Sequence, residues 1–191
     1  IDDEIVLMNS NGWSSAELVS YRFKGHTAHA SYASTWIAAM NNFQEHGVIV
    51  FSNSNTSAND NAEITAALPE LFPELGEAFI AAVNIDIGGT AGDGTYVRKS
   101  APCGDAAPYC LAADAHAITT LGANSGYTYY VYDSDSNGSP DIINSGTSYV
   151  APMISGAVAI MAEAFPNMTP ANWTDRLLAS ANNKIGYSEI G

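Results

Sequence analysis

The sequence has few basic residues. Six of its 191 residues are Lys or Arg and 20 are Asp or Glu, which gives a formal net charge of −14 at pH 7. Such a surface repels a phosphate backbone, so nucleic acid is not an expected partner. An acidic, lysine-poor composition is instead typical of proteins exposed to salt or to the outside of a cell.

Long hydrophobic runs are also missing. A membrane-spanning helix needs about 20 apolar residues, and the longest candidate, residues 149–165, is interrupted by a proline, a serine, a glycine and a glutamate. No signal peptide, internal repeat or linker is recognisable. Because 47% of the residues are hydrophobic, a sizeable core is expected. We therefore predict a single domain over residues 1–191 without a transmembrane segment.

Cysteine is scarce as well. The two cysteines, Cys103 and Cys110, enclose a short loop that contains Gly104 and Pro108. Two cysteines at this spacing do not supply the four ligands of a structural zinc site. A local disulfide is favoured over two free thiols and indicates an oxidising compartment. We expect an extracellular or cell-surface protein.

Apolar segments of strand length and of helix length alternate along the chain. Strands are predicted at 4–10, 48–54 and 77–86, and a hairpin at 127–144. Helices are predicted at 32–46 before Gly47, at 62–68 before Pro69, after Ser148, and from Thr169-Pro170 onward. This alternation predicts an α/β fold with a mainly parallel sheet.

A serine stands at the start of the most apolar of these helices. The stretch NSGTSYVAPMISG, residues 144–156, places Ser148 where a helix without a polar face meets solvent. Free N–H groups and the positive dipole end at a helix N-terminus favour developing negative charge, as acyl transfer requires. A serine at a helix start, taken alone, is more simply explained as a cap formed by Thr147 or Ser148.

The residues around Ser148 resemble the nucleophile motif of the subtilisin-like serine peptidases, Gly-Thr-Ser-x-Ala-Ala-Pro followed by a small-residue helix. The matching residues are Gly146, Thr147, Ser148, Ala151 and Pro152, while Val150 replaces the usual Ala. The resemblance implies a serine endopeptidase with Ser148 as nucleophile. It also implies the subtilisin-like three-layer fold with a buried central helix after that serine.

Two further stretches resemble the same family. GVIVFSNSN, residues 47–55, is similar to the strand Gly-Val-x-Val-x-Ala-Ala-Gly-Asn, which ends in the side-chain donor of the oxyanion hole. That role falls on Asn55 by counting from Gly47, with Asn53 as the rival by proximity and Ser54 in place of the family's Gly. IVLMNSNGW resembles the Ser-x-Gly strand, which implies that Ser10, Asn11 and Gly12 pair with the backbone of a polypeptide substrate. CGDAAPYCLAA looks most like the secreted subtilases of bacterial autotransporters.

The family's Asp-Thr/Ser-Gly and His-Gly-Thr motifs do not occur in this sequence. The four histidines, His26, His29, His46 and His116, are each interpreted as structural or solvent-exposed. One explanation is a C-terminal part of a peptidase domain whose Asp and His lie in a segment upstream of Ile1. The alternative is a pseudopeptidase, or an inert fragment, that binds extended peptides without cleaving them.

The stretch DSDSNGSPD, residues 133–141, has the spacing of a calcium-binding loop. The oxygen ligands would be Asp133, Asp135, Asn137 and Asp141. The twelfth position is Asn144 rather than a bidentate Glu, and a polar hairpin tip is the favoured alternative. No cofactor is expected to be required, while calcium remains compatible with an extracellular peptidase.

Overall fold

A computed structural model of the chain describes residues 27–87, 96–116 and 145–181. The helices are α1 (Thr27–Phe43), α2 (Thr147–Ala164) and α3 (Pro170–Ser180). The strands are β1 (Ile49–Ser52), β2 (Phe79–Asp86), β3 (Val97–Arg98) and β4 (Cys110–Asp114). Short 3-10 helices cover Leu68–Glu70, Pro73–Ala78 and Gly104–Tyr109. Within these ranges, the length and apolar character of every helix fall short of a membrane span. The strand predicted at 4–10 and the hairpin predicted at 127–144 lie outside the described residues.

The four strands form one sheet centred on β2. Strand β1 runs parallel to residues 79–82 of β2, and β4 runs parallel to residues 81–85. Because residues 81 and 82 pair with both strands, β1 and β4 occupy opposite edges of β2. The antiparallel strand β3 pairs with residues 85 and 86 on the edge of β1, beyond the point where β1 ends. The predicted α/β fold with a mainly parallel sheet is confirmed.

Two apolar clusters cover the two faces of the sheet. Successive side chains of a strand point to opposite faces, so Phe79 and Ala81 pack on the side of α1, and Ile80 and Ala82 on the side of α2. The α1 cluster also contains Ile37, Met40, Leu68, Leu75 and Tyr109. The result is three layers: α1, the sheet, and α2 with α3.

Helix α2 packs on the sheet through residues spaced four apart, Val150, Ile154 and Val158. On its other sides, Met153 and Ile160 are 46% and 69% exposed. In the described part of the chain, the burial of this apolar helix is therefore confined to one face. Composition predicts how much surface a helix can bury, but not which of its sides has a neighbour.

The helix predicted at 32–46 is observed as Thr27–Phe43. The chain leaves the helix at Gln44, whose side chain is buried and turned inward. Its Nε2 donates to the carbonyl of Glu74 at 2.9 Å, and its Oε1 accepts from the N–H of Ala78 at 2.8 Å. A long-range side-chain contact thus ties the end of the helix to the 3-10 helix Pro73–Ala78.

The prediction of a short helix at 62–68 is wrong. Residues 64–67 form a turn, and Leu68–Glu70 form a 3-10 helix with Pro69 in its first turn. Proline is accepted there because the first N–H groups of a helix need no partner within it. The segment is buried on several sides at once, at Ala62, Ile64, Ala66, Ala67 and Leu68. Tertiary burial, rather than helix propensity, decides its shape.

The predicted disulfide is present. Cys103 and Cys110 are joined, with Cα atoms 5.9 Å apart. The bond closes the 3-10 helix Gly104–Tyr109 into a compact loop that leads directly into β4. We call residues 101–110 the disulfide loop.

Candidate active site

Gly146 forms the turn from which α2 begins. Its φ of +155° lies where residues with a side chain are rarely found, and a Cβ at this position would lie 3.2 Å from Oδ1 of Asn55. Its N–H donates to the carbonyl of Ala115 at 3.3 Å, which anchors the turn to the end of β4. The glycine of the Gly-Thr-Ser stretch therefore lets the turn pass closely against Asn55.

Thr147 is the buried residue of this turn, with 1% of its surface exposed. Its backbone N–H donates to Oδ1 of Asn55 at 2.8 Å. Its hydroxyl donates to the backbone carbonyl of Asn53 at 2.6 Å and lies 3.1 Å from Oδ1 of Asn55. Thr147 thus ties the start of α2 to the segment that follows β1.

Asn55 and Ser148 each keep an unused donor at the start of α2. The oxygen end of the Asn55 amide accepts from Thr147, which leaves Nδ2 as the free end. Among the described residues, Nδ2 of Asn55 and the backbone N–H of Ser148 have no acceptor, and the Ser148 hydroxyl has no hydrogen-bond partner. Both residues are exposed. The structure thus brings together the two residues predicted to carry the chemistry.

Two donors beside an exposed hydroxyl can bind an anion at this helix N-terminus. The dipole of α2 adds to their attraction, because the N-terminal end of a helix carries a partial positive charge. An anion bound here would be the oxygen of a carbonyl under attack by the hydroxyl, provided that the donors lie within hydrogen-bonding distance of it. This chemistry needs both donors and the hydroxyl close together at the start of α2.

Asn53, the rival of Asn55, is buried with 4% exposure. Its Nδ2 donates to the carbonyls of Ala101 and Pro102 at 3.3 and 2.8 Å. Its Oδ1 accepts from the N–H groups of Ser54 and Glu63 at 2.9 and 2.7 Å. A side chain used at both ends inside the protein has no donor left for a ligand, so the geometry favours Asn55.

Asn84 is a residue that the sequence analysis missed. It lies fully buried within β2, and its Nδ2 donates to Oγ of Ser145 at 3.0 Å. Its Oδ1 accepts from the N–H of Ala115 at 3.0 Å. A polar residue inside the apolar run FIAAVNID was the available signal, because a buried amide requires hydrogen-bond partners. Asn84 thus holds the start of the Ser145–Ser148 turn to the middle of the sheet.

The two histidines with described side chains, His46 and His116, form no hydrogen bond with Ser148. His46 is exposed after the end of α1. Nε2 of His116 lies 3.6 Å from the carboxylate of Asp86, which lies 3.2 Å from Nζ of Lys99. Both agree with the interpretation as structural or exposed residues. The side chains of His26 and His29 lie outside the description.

The remaining predicted sites lie on residues that the structure does not describe. These are the substrate-pairing residues Ser10, Asn11 and Gly12 and the calcium ligands Asp133, Asp135, Asn137 and Asp141. Over residues 27–87, 96–116 and 145–181, no three His, Cys, Asp or Glu side chains converge on a metal position. Both sets remain predictions.

Together, these features define a class of protein: a three-layer α/β domain with an exposed serine at the N-terminus of the helix that packs on its sheet. The sequence profile of the Subtilase family (Peptidase_S8) matches residues 7–190. The chain therefore belongs to the subtilase family, whose members are serine peptidases. A comparison with curated proteins gave no match.

Solved structures of similar fold include three proteases. The prenylagaramide maturation protease PagA has a TM-score of 0.54 at 21% identity, over 80% of this chain and 49% of that protein. Sphericase has a TM-score of 0.55 at 20% identity, over 78% of this chain and 44% of that protein. MycP1, a serine protease and an essential component of a type VII secretion system, has a TM-score of 0.51 at 21% identity, over 79% of this chain and 43% of that protein. The chain thus spans less than half the length of each, and the likeness shows the fold.

Proposed function

We propose that this chain is the C-terminal part of the peptidase domain of a subtilisin-like serine endopeptidase, with Ser148 as nucleophile and Asn55 as oxyanion donor. The observation that carries the proposal is the hydrogen bond from Thr147 N–H to Oδ1 of Asn55. It fixes the amide so that its free donor and the free N–H of Ser148 both lie at the start of α2. The alternative of a cap formed by Thr147 or Ser148 loses support, because the cap residue is Gly146 and it makes no side-chain cap hydrogen bond.

In the proposed reaction, Oγ of Ser148 attacks the carbon of a peptide carbonyl while a histidine takes its proton. Nδ2 of Asn55 and the N–H of Ser148 stabilise the negative oxygen of the tetrahedral intermediate. The intermediate collapses, the amine leaves with the proton from the histidine, and an acyl group remains on Ser148. Water then releases the acyl group by the same steps.

The histidine and its orienting aspartate are proposed to come from a segment of the same domain upstream of Ile1. Two observations support this. The family's Asp and His motifs do not occur in the sequence, and neither His46 nor His116 contacts Ser148. An activated serine needs such a base, because a free hydroxyl is a weak nucleophile.

The substrate is proposed to be an extended polypeptide that adds as a strand beside Ser10, Asn11 and Gly12. The reaction needs only side chains and backbone groups, so calcium at residues 133–141 would serve stability rather than chemistry. The disulfide between Cys103 and Cys110 and the net charge of −14 support an extracellular location. The sequence CGDAAPYCLAA, which resembles the secreted subtilases of bacterial autotransporters, supports that type of subtilase.

The second candidate is a pseudopeptidase that binds extended peptides without cleaving them. It is favoured by one observation: in the described part of the chain, the hydroxyl of Ser148 has no histidine beside it. The two candidates share the fold and the donors at the start of α2. They differ only in whether Ser148 is activated.

Labelling with a fluorophosphonate tests the proposal, because such reagents react with activated serines. We expect the full-length protein to gain one adduct that peptide mapping places on Ser148. Ser148→Ala should abolish the adduct, while Ser155→Ala, in the same helix with its hydroxyl bonded to the carbonyl of Ala151, should keep it. A folded full-length protein without an adduct would refute the peptidase and support the peptide-binding candidate.

A further inference from the structure

We infer that Asn53 is a positioning residue for the proposed peptidase, one that holds the segment after β1 so that Asn55 meets Thr147. The inference rests on the proposed function, because it assigns a role in the same site. Asn53 does not touch the nucleophile; it acts through the backbone between positions 53 and 55 and through Thr147. Three sets of contacts carry it.

The first set ties Asn53 to the disulfide loop. Its Nδ2 donates to two successive carbonyls, those of Ala101 at 3.3 Å and Pro102 at 2.8 Å, just before Cys103. The N–H of Ala101 in turn donates to the carbonyl of Ser54 at 2.8 Å. The segment after β1 is therefore held against a loop that the disulfide keeps closed.

The second set fixes the chain around Asn53 itself. Oδ1 accepts from Ser54 N–H and from Glu63 N–H, so one oxygen closes the loop between positions 53 and 63. The backbone N–H of Asn53 continues the ladder with β2 by donating to the carbonyl of Ala82 at 3.0 Å. With 4% exposure, none of these bonds can be replaced by bulk water without opening the structure.

The third contact reaches the active-site turn. The carbonyl of Asn53 accepts from the hydroxyl of Thr147 at 2.6 Å. Two residues further on, Oδ1 of Asn55 accepts from the N–H of the same threonine at 2.8 Å. Thr147 is thus held at two points by one short segment, and the position of that segment depends on the side chain of Asn53.

Asn53 departs from the strand pattern that the family resemblance supplies. In the alignment of GVIVFSNSN with Gly-Val-x-Val-x-Ala-Ala-Gly-Asn, position 53 falls on the second Ala. A methyl group can make none of the four side-chain hydrogen bonds described above. The disulfide loop and Asn53 therefore belong together as one support of the active-site turn.

The test is a double-mutant cycle in the full-length protein, with Asn53→Ala, Asn55→Ala and both together. The readouts are kcat and KM on a peptide substrate and the rate constant of fluorophosphonate labelling at Ser148. We expect Asn53→Ala to lower kcat about 10-fold, less than the 10²- to 10³-fold range for loss of an oxyanion donor. KM should change by no more than about twofold, since the contact serves the transition state.

The decisive comparison is Asn53→Ala in the background of Asn55→Ala. If Asn53 acts through Asn55, the double variant should be no slower than Asn55→Ala alone, because coupled residues are not additive. A role confined to stability would leave kcat per folded molecule unchanged in both backgrounds, and an effect independent of Asn55 would lower kcat by the same factor in both. The control is Asn61→Ala, which removes contacts with Asp105 of the same disulfide loop at 2.7 and 2.9 Å and should leave kcat unchanged.

If Asn53→Ala does not fold, Asn53→Ser replaces it. The hydroxyl carries a single hydrogen and cannot replace both donors to Ala101 and Pro102, and the same non-additivity is expected. Additive effects, or a wild-type kcat in a variant of Asn53, would overturn the inference while leaving the peptidase in place. A wild-type protein that neither cleaves nor labels would remove the proposed function and the inference with it.

Discussion

Replacing Asn55 by Asp tests the donor role of its side-chain amide separately from the acceptor role. Oδ1 of Asn55 accepts from Thr147 N–H at 2.8 Å, while Nδ2 has no acceptor among residues 27–87, 96–116 and 145–181. Asp has the same shape and keeps an acceptor for Thr147, but it has no donor for an oxyanion. The variant therefore preserves the structural contact and removes only the proposed catalytic one.

Asn55→Asp should lower kcat and raise the free energy of unfolding. Loss of one oxyanion donor lowers kcat by about 10²- to 10³-fold, or 2.7–4 kcal/mol, and a carboxylate that repels the developing charge favours the larger figure. A carboxylate at a helix N-terminus stabilises the fold by about 0.3–1 kcal/mol. By contrast, Asn55→Ala also removes the oxygen that accepts from Thr147 N–H at the start of α2, and the loss of such a capping hydrogen bond costs about 1 kcal/mol of stability.

The assay measures kcat and KM of the full-length protein on a peptide substrate, together with its urea midpoint. Asn59→Asp is the matched control, because Asn59 lies in the same loop and contacts Ser54 Oγ at 3.4 Å rather than Thr147. It should leave both quantities close to those of the wild type. A wild-type kcat in Asn55→Asp, or a loss seen only in KM, would refute the assignment of Nδ2 to the oxyanion.

Three further predictions concern stability. Replacing Cys103 and Cys110 by Ala should lower the free energy of unfolding by about 2–3 kcal/mol, as the closure of a short loop predicts. Asn84→Ala should cost about 2–3 kcal/mol in a urea titration, because the buried N–H of Ala115 loses its acceptor. Burial raises the pKa of Tyr109, so the wild type should lose stability as the pH rises above about 10; Tyr109→Phe should remove that loss.

Each of these has a result that would contradict it. Equal urea midpoints for the oxidised and the cysteine-free protein would mean that the disulfide loop is held by its other contacts alone. If Asn84→Ala left the urea midpoint unchanged, water would have to accept from the N–H of Ala115 in place of Asn84. The same alkaline decline in Tyr109→Phe as in the wild type would assign the pH dependence to other groups.

The sequence predicted the candidate active-site turn better than the surrounding loops. The Gly-Thr-Ser stretch, the apolar helix after it and the cap at Thr169 are local patterns. Helix α3 begins where its pattern places it, and α2 begins at Thr147, just before Ser148, with Gly146 as its cap residue. The parallel pairing of β1 with β2 also followed from two short apolar runs separated by a connection. Family spacing placed Asn55 at the donor position, and its contact with Thr147 supports that choice.

What the sequence could not predict depends on distant contacts. Gln44 ties the end of α1 to Glu74 and Ala78, and no pattern within the helix indicates this contact. The segment 62–68 looked helical because its composition is apolar and rich in Ala, yet burial on several sides makes it a turn. The role of Asn53 likewise depends on carbonyls 48 and 49 positions away.

The hydrogen bond between Asn55 and Thr147 joins residues 92 positions apart. Closing a loop of that length costs about 4 kcal/mol of chain entropy, before a constant that does not depend on length. The donor can reach the start of α2 only after the sheet and the helix have come together, so an incompletely folded chain lacks the proposed oxyanion site. In the proposed peptidase, a partly synthesised or partly folded copy would therefore be unable to hold an oxyanion at this site.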